Sequence, residues 1–244
     1  PEPFFQPYWL LALSAIFPAS KRSTVVTVRD RSGLRGILPM IRVTSFFTGI
    51  PARTLRSLSG THSCRFDLVC DEGSTRQITR AMWMTLREDP SWDIIEALHV
   101  PAGGSFEALQ DSAREDGFLT ACWPTLRMPY LELPARGADP FGNSPERYRS
   151  FRRRLGTYQK KLAQRGNLTF GAETELTDRM FYEFLTLEAG GWKKHTGGAI
   201  AQRPQVQQFY LQALRGASRA GDLRIYSLRL NGRPIAMEIG RAHV

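Results

Sequence analysis

Cysteine is scarce. Three residues in a chain of 244 cannot build the dense cross-linking on which small secreted scaffolds depend, and an odd count argues for a reducing compartment. Long hydrophobic runs are missing as well. The longest apolar stretch, Trp9–Phe17, falls far short of the roughly 20 residues that cross a bilayer. It also lacks the basic flank and small-residue cleavage site of a signal peptide. His62, Cys64, Cys70, His99, Cys122 and His195 show neither C-x-x-C nor H-E-x-x-H spacing. The His62-x-Cys64 pair alone is a weak signal, so no metal is expected. Neither a G-x-S-x-G elbow nor a Walker A loop is present, and no G-x-G-x-x-G precedes residue 238. These absences remove the common signatures of serine hydrolysis and nucleotide binding, and together with the cysteine usage they lead us to expect a cytoplasmic protein.

What is present describes a folded chain. Hydrophobic residues make up 42% and charged residues 23%, an ordinary balance that excludes disorder, which needs low hydrophobicity and high net charge together. The length suits one large domain or two of roughly 120 residues. Positive charge is in excess, with a net charge of +10, and it is concentrated. Arg147–Arg165 holds eight Lys/Arg and no Asp/Glu: Arg147, Arg149, Arg152, Arg153, Arg154, Lys160, Lys161 and Arg165. Tyr148, Phe151, Leu155, Tyr158 and Leu162 recur three or four apart in the same stretch and make one apolar stripe. Ser144 fits an N-cap, Pro145 the first helical position, Glu146 the positive helix end and Gly166 the stop. The reading is an amphipathic helix with an aromatic-rich inner face and a basic outer face. Its cations suit a polyanion, either nucleic acid or an acidic membrane surface. The plainer reading, a solvated connecting helix, is favoured because the aromatics lie on the stripe expected to be buried rather than between the cations as stacking platforms.

The remaining pattern alternates helices and strands. Helices are expected over Gln6–Phe17, Ser74–Arg87 (with Ile78, Ala81, Met82 and Leu86 on one face), Ser105–Glu115, Thr177–Glu188 and from Pro204 onward (with Val206, Phe209, Tyr210, Ala213, Leu214 and Ala217 inward). Strands are expected over Thr24–Arg29, Arg35–Val43, Leu55–Ser59, Trp92–Val100, Asn167–Phe170 and Leu223–Leu230. Phe118–Met128 and Tyr130–Leu133 read as extended, and Pro134–Pro145 as a linker. Asn231-Gly232 is a strong hairpin signal. The fold class is therefore α+β or mixed α/β. A weak internal repeat links Val28–Met40 to Leu228–Met237: each has a turn, a basic residue and a short apolar return, and a helix precedes each hairpin.

Chemistry is most concentrated in Leu187–Ala201. Glu188 shares a helical face with Phe181, Phe184 and Leu185 and sits at the helix C-terminus, where the dipole disfavours a negative charge. It is a candidate catalytic base or acceptor-positioning group. It is equally well read as a last-turn glutamate facing water or paired with Lys193 or Lys194. Trp192, Lys193 and His195 are candidates for substrate binding. Trp192 reads also as a plug holding the loop to the core, and the basic residues as solvated.

Several segments carry a resemblance: Phe5-Gln6-Pro7-x-Trp9, Gly36-Ile37-Leu38-Pro39-Met40, Arg149-x-x-Arg152-Arg153-x-Leu155, Leu187-Glu188-Ala189-x-Gly191-Trp192-Lys193 with Gly197-x-Ala199, and Asn231-Gly232-x-Pro234-Ile235-Ala236. Over nearly all of Phe4–Met237 the chain resembles the GNAT-superfamily acetyltransferases of the CelD/BcsL type, associated with cellulose biosynthesis. The Glu-x-x-Gly-Trp-Lys segment is the most specific part. The resemblance implies tandem GNAT-like (acyl-CoA N-acyltransferase) folds related to Fem-type peptidyl transferases, the first over 1–135 and the second over 136–237. It implies transfer of an acyl group from acyl-CoA or acetyl-CoA to an amine or hydroxyl of a small-molecule or saccharide acceptor, in envelope or exopolysaccharide metabolism.

The donor's pyrophosphate is expected on backbone amides of an Arg/Gln-x-x-Gly-x-Gly/Ala loop after the strand that follows Asn231-Gly232. Arg153–Tyr158 mimics the first part of that loop but lies inside the basic helix and lacks the final small residue. Glu238–Val244 resembles the in-frame translation of a common sequencing adapter, and the chain opens on Pro1. We therefore expect a fragment truncated at both ends, inactive by itself, whose cofactor-binding loop lies beyond Met237. Two alternatives stand beside this expectation: a Fem-type transferase using charged tRNA, and a non-catalytic module binding a polyanion or membrane surface through residues 147–165.

Overall fold

The computed structural model describes residues 2–17, 22–60, 62–127, 146–191 and 197–241. The expected linker over 134–145 lies outside them. The chain divides into two compact units, Pro1–Leu126 with Gln205–Gly216, and Arg127–Pro204 with Ala217–Val244.

In the first unit, a one-turn helix at Pro3–Phe5 leads into α1 (Pro7–Ile16), started by Pro7 at a position that needs no N–H donor. Strands β1 (Ser23–Asp30), β2 (Gly33–Phe47), β3 (Ile50–Ser57), β4 (Val69–Cys70) and β5 (Ile94–Glu96) form one mixed sheet. Its order is β1-β2-β3-β5, with β4 beside β2. All pairings are antiparallel except β3 with β5. Helices α2 (Thr75–Glu88) and α3 (Ser105–Glu115) pack against each other, and α2 packs on β1 and β2. The core gathers Leu38, Met40 and Leu55 from the strands with Met82, Trp83, Leu86 and Leu109 from the helices. Gly36 allows this close approach. A Cβ there would lie 2.5 Å from Ile78 Cγ2 and 2.7 Å from Met82 Cε.

A second apolar cluster joins Trp9, Ala12 and Leu13 of α1 to Phe209 and Ala213 of α6 (Pro204–Arg219). Trp9 meets Phe209 edge to face at 4.9 Å, and its indole N–H donates to Ser63 Oγ at 3.0 Å, so the ring is buried with its polar atom satisfied.

Two carboxylates tie α2 and α3 in place. Asp67 accepts from the backbone N–H groups of Leu68, Ser105 and Phe106 at 2.7–2.8 Å. It thus caps α3 from a distant loop. Burial pushes its carboxyl up, while the three backbone donors pull the other way. Asp116 accepts from Arg80 at 2.8 Å, Trp83 Nε1 at 2.9 Å and Arg87 at 2.6 Å. These partners, Arg80 first, hold its carboxyl down at about 2.

In the second unit, β6 (Leu168–Glu173), β7 (Leu223–Leu230) and β8 (Arg233–Arg241) make an antiparallel sheet. Helix α5 (Asp178–Ala189) lies against β8 and buries Phe181 and Leu185. Helix α4 (Glu146–Ala163) precedes β6.

The mixed α/β class is as expected, and several details differ from the sequence reading. Strand β2 runs on to Phe47 and turns through Thr48 (φ 50°) and Gly49 (φ 85°) into β3, a hairpin the sequence reading divided into two shorter strands. The Trp92–Val100 strand shrinks to Ile94–Glu96, which pairs with Thr54–Arg56 of β3. On α2, Ala81 is exposed whereas Thr79 and Trp83 are buried. The apolar stripe of α4 is not an inner face: Phe151 is 43%, Leu155 49% and Tyr158 58% exposed. Helical spacing fixes which residues share a face, not whether anything packs against it.

Candidate functional site

Among the described residues, the segment from α5 to the start of α6 carries Glu188, one of the candidate site residues of the sequence. Thr177 starts α5, its hydroxyl accepting from the Met180 N–H at 3.2 Å. The helix directs Phe181, Leu185 and, one turn later, Glu188 to one side. Glu188 is half-buried, and its Oε2 accepts from the backbone N–H of Ile200 at 2.8 Å. Ile200 opens a one-turn helix, Ile200–Gln202, behind the fully buried Ala199. The glutamate therefore closes the loop between α5 and that turn. Gly197 (φ 66°) takes a left-handed conformation suited to glycine, and its carbonyl accepts from Arg203 Nε at 3.1 Å, which fixes the far end of the loop. Trp192, Lys193 and His195 lie outside the described residues, as does the side chain of Arg147.

A second carboxylate, which the sequence did not single out, organises the same unit. Glu183 Oε2 accepts from Arg229 at 2.6 Å and its Oε1 from Arg179 Nε at 3.1 Å, with only 15% of its side chain exposed. The hydrogen bond from Arg229 is the main cause that holds the Glu183 carboxyl below its ordinary value; burial opposes it and Arg179 assists. The same bond raises Arg229 further above its usual range. Arg229 also donates to the Gly232 carbonyl at 3.3 Å. The i,i+4 relation of Arg179 to Glu183 is legible in sequence, but the partner 46 positions away is not.

The β7–β8 hairpin turns through Asn231 (φ 50°) and Gly232 (φ 77°), as Asn-Gly favours. Asn231 Oδ1 accepts from the Asn167 N–H at 2.8 Å, joining the turn to the start of β6. Its register matches that of the first hairpin. Leu228 faces Ala236 and Arg229 faces Pro234, while Val28 faces Gly36 and Arg29 faces Leu34. Both ladders slip by one residue at the same place, between Leu228 and Arg229 and between Val28 and Arg29.

Residues 149–243 match the sequence model of the Acetyltransferase (GNAT) domain. This is the stretch from the first turn of α4 through β8. The match supports acyl transfer, for which such domains generally use acetyl-CoA or another acyl-CoA as donor. No curated protein matches the chain. Within the matched stretch, Arg153–Tyr158 is helical throughout. Arg149, Arg152, Arg153, Arg154, Lys160, Lys161 and Arg165 are all exposed on or just after α4. Among the described residues, no group of three or more His, Cys, Asp or Glu could hold a metal ion, and no helix is long and apolar enough to cross a membrane.

Proposed function

We propose that this chain is part of an acyl-CoA-dependent N- or O-acyltransferase of the CelD/BcsL type, acting on an acceptor in envelope or exopolysaccharide biosynthesis. The observation that carries the reading is the GNAT-domain match over 149–243. The corresponding bulged registers of the β1–β2 and β7–β8 hairpins support two tandem units of one kind.

In the transfer, the acceptor's neutral nitrogen or oxygen attacks the thioester carbonyl. The new C–N or C–O bond forms, the C–S bond breaks, and CoA leaves with the sulfur electron pair. Backbone amides polarise the carbonyl, and a base takes the acceptor's proton. We assign Glu188 to this proton or to holding the acceptor, with Trp192, Lys193 and His195 as the substrate-binding residues. Its hydrogen bond from the Ile200 N–H would keep the carboxylate oriented.

The test is Glu188→Gln in the protein, assayed for acyl transfer from acetyl-CoA. Gln can still accept from Ile200, so folding should hold. As base, Glu188 predicts a fall in kcat of about 10²–10⁴ and loss of the acidic limb of the pH–rate profile. A variant that keeps kcat and the pH profile would remove Glu188 from the chemistry and leave it a loop anchor.

A further inference from the structure

Helix α4 combines two features that one kind of surface accommodates together. Its cations are exposed, and no acidic residue interrupts them between Arg147 and Arg165. Its stripe is exposed too: Phe151, Leu155 and Tyr158 are 43–58% accessible, with Tyr148 and Leu162 half-buried at either end. Three large apolar side chains in a row on a helix are costly in water. Helical geometry sets the cations around them in order. Arg154 and Lys161 border the stripe on one side and Arg152 on the other, while Arg149, Arg153 and Lys160 fall on the opposite face.

We propose that α4 lies in the surface of an anionic lipid bilayer, with the stripe in the acyl boundary and the bordering cations on the headgroups. This goes beyond the acyltransferase reading and does not depend on it. Charge complementarity selects anionic over neutral lipid. The exposed stripe selects lipid over nucleic acid, since phosphate contacts would leave Phe151, Leu155 and Tyr158 in water, whereas a bilayer interface takes both faces at once. Arg152, Arg154 and Lys161 have stems long enough to follow the apolar boundary while their charged ends stay hydrated. Eighteen residues give a helix of about 27 Å, long enough to engage several headgroups while lying flat.

The experiment is co-sedimentation of the whole chain with phosphatidylcholine vesicles with and without phosphatidylserine. Binding is expected only where phosphatidylserine is present. Reversing Arg152, Arg154 and Lys161 to Glu together should weaken it by about a hundredfold or more, since each cation at an anionic surface is worth roughly fivefold. Leu155→Glu should weaken it by about tenfold or more, and Leu155→Ala by a smaller factor in the same direction. All these positions are exposed, so thermal melting should not change. Absence of binding to the anionic vesicles, or equal binding to both kinds, would overturn the proposal. So would charge reversal that abolishes binding while Leu155→Glu and Leu155→Ala leave it intact. That pattern marks a purely electrostatic surface, and a competing RNA of mixed sequence would then displace the vesicles.

Discussion

Single side chains, more than local propensity, hold α5 to β7 within the second unit. Glu183 is nearly enclosed and accepts from both Arg179 and Arg229. Because its folded-state pKa is lowered, its contribution is fully present above the ordinary glutamate value near 4.3 and is lost as pH falls from there through the lowered folded-state value. Glu183→Gln should therefore cost about 1–2 kcal/mol at neutral pH. Chemical denaturation across pH should show the gap to the parent closing below about pH 4. A gap that persists unchanged in acid would mean that shape, not charge, is what the glutamate supplies. Asp116 behaves alike in the first unit: with its carboxyl held at about 2, its ion pairs with Arg80 and Arg87 should survive to lower pH than those of an ordinary aspartate. These partnerships were not readable in advance. A helix periodicity places Glu183 on α5, but nothing near it in sequence names Arg229. For Glu188 the spacing from Phe181 and Leu185 gave its helical face, but its bond from the Ile200 N–H, twelve positions on, was not readable.

Among the elements, the contact of α2 with β2 is the most sensitive to a small change. Gly36→Ala would set a methyl group against Ile78 and the fully buried Met82. Overpacking of this sort typically costs about 1–3 kcal/mol, and thermal unfolding should register it. Gly156→Ala on α4 should do the reverse. Nothing lies within 4 Å of the added Cβ, and removing an open helical glycine should add about 0.5–1 kcal/mol to local helix stability, visible as slower amide exchange along α4. The contrast shows what sequence spacing can tell. Periods of two and 3.6 found α3, α5, α6 and β7 almost to the residue, because capping and turn residues such as Thr177, Pro204 and Asn231-Gly232 agree with the apolar pattern. The same spacing failed on α4, whose stripe faces solvent, and on the β2–β3 hairpin, whose tip carries exposed Phe46, Phe47 and Ile50 around an unassuming Thr48-Gly49 turn.

At the scale of the whole molecule, two hairpins with the same bulge and a GNAT-domain match over 149–243 support the account proposed above, an acyl-CoA-dependent transferase. That account is most directly tested by calorimetric titration of acetyl-CoA, alongside longer acyl-CoA esters, into the protein. It predicts saturable binding at one site per chain, weakened by added free CoA and indifferent to tRNA. Heatless titrations with every acyl-CoA, or acyl transfer that appears only when charged tRNA is supplied, would contradict it.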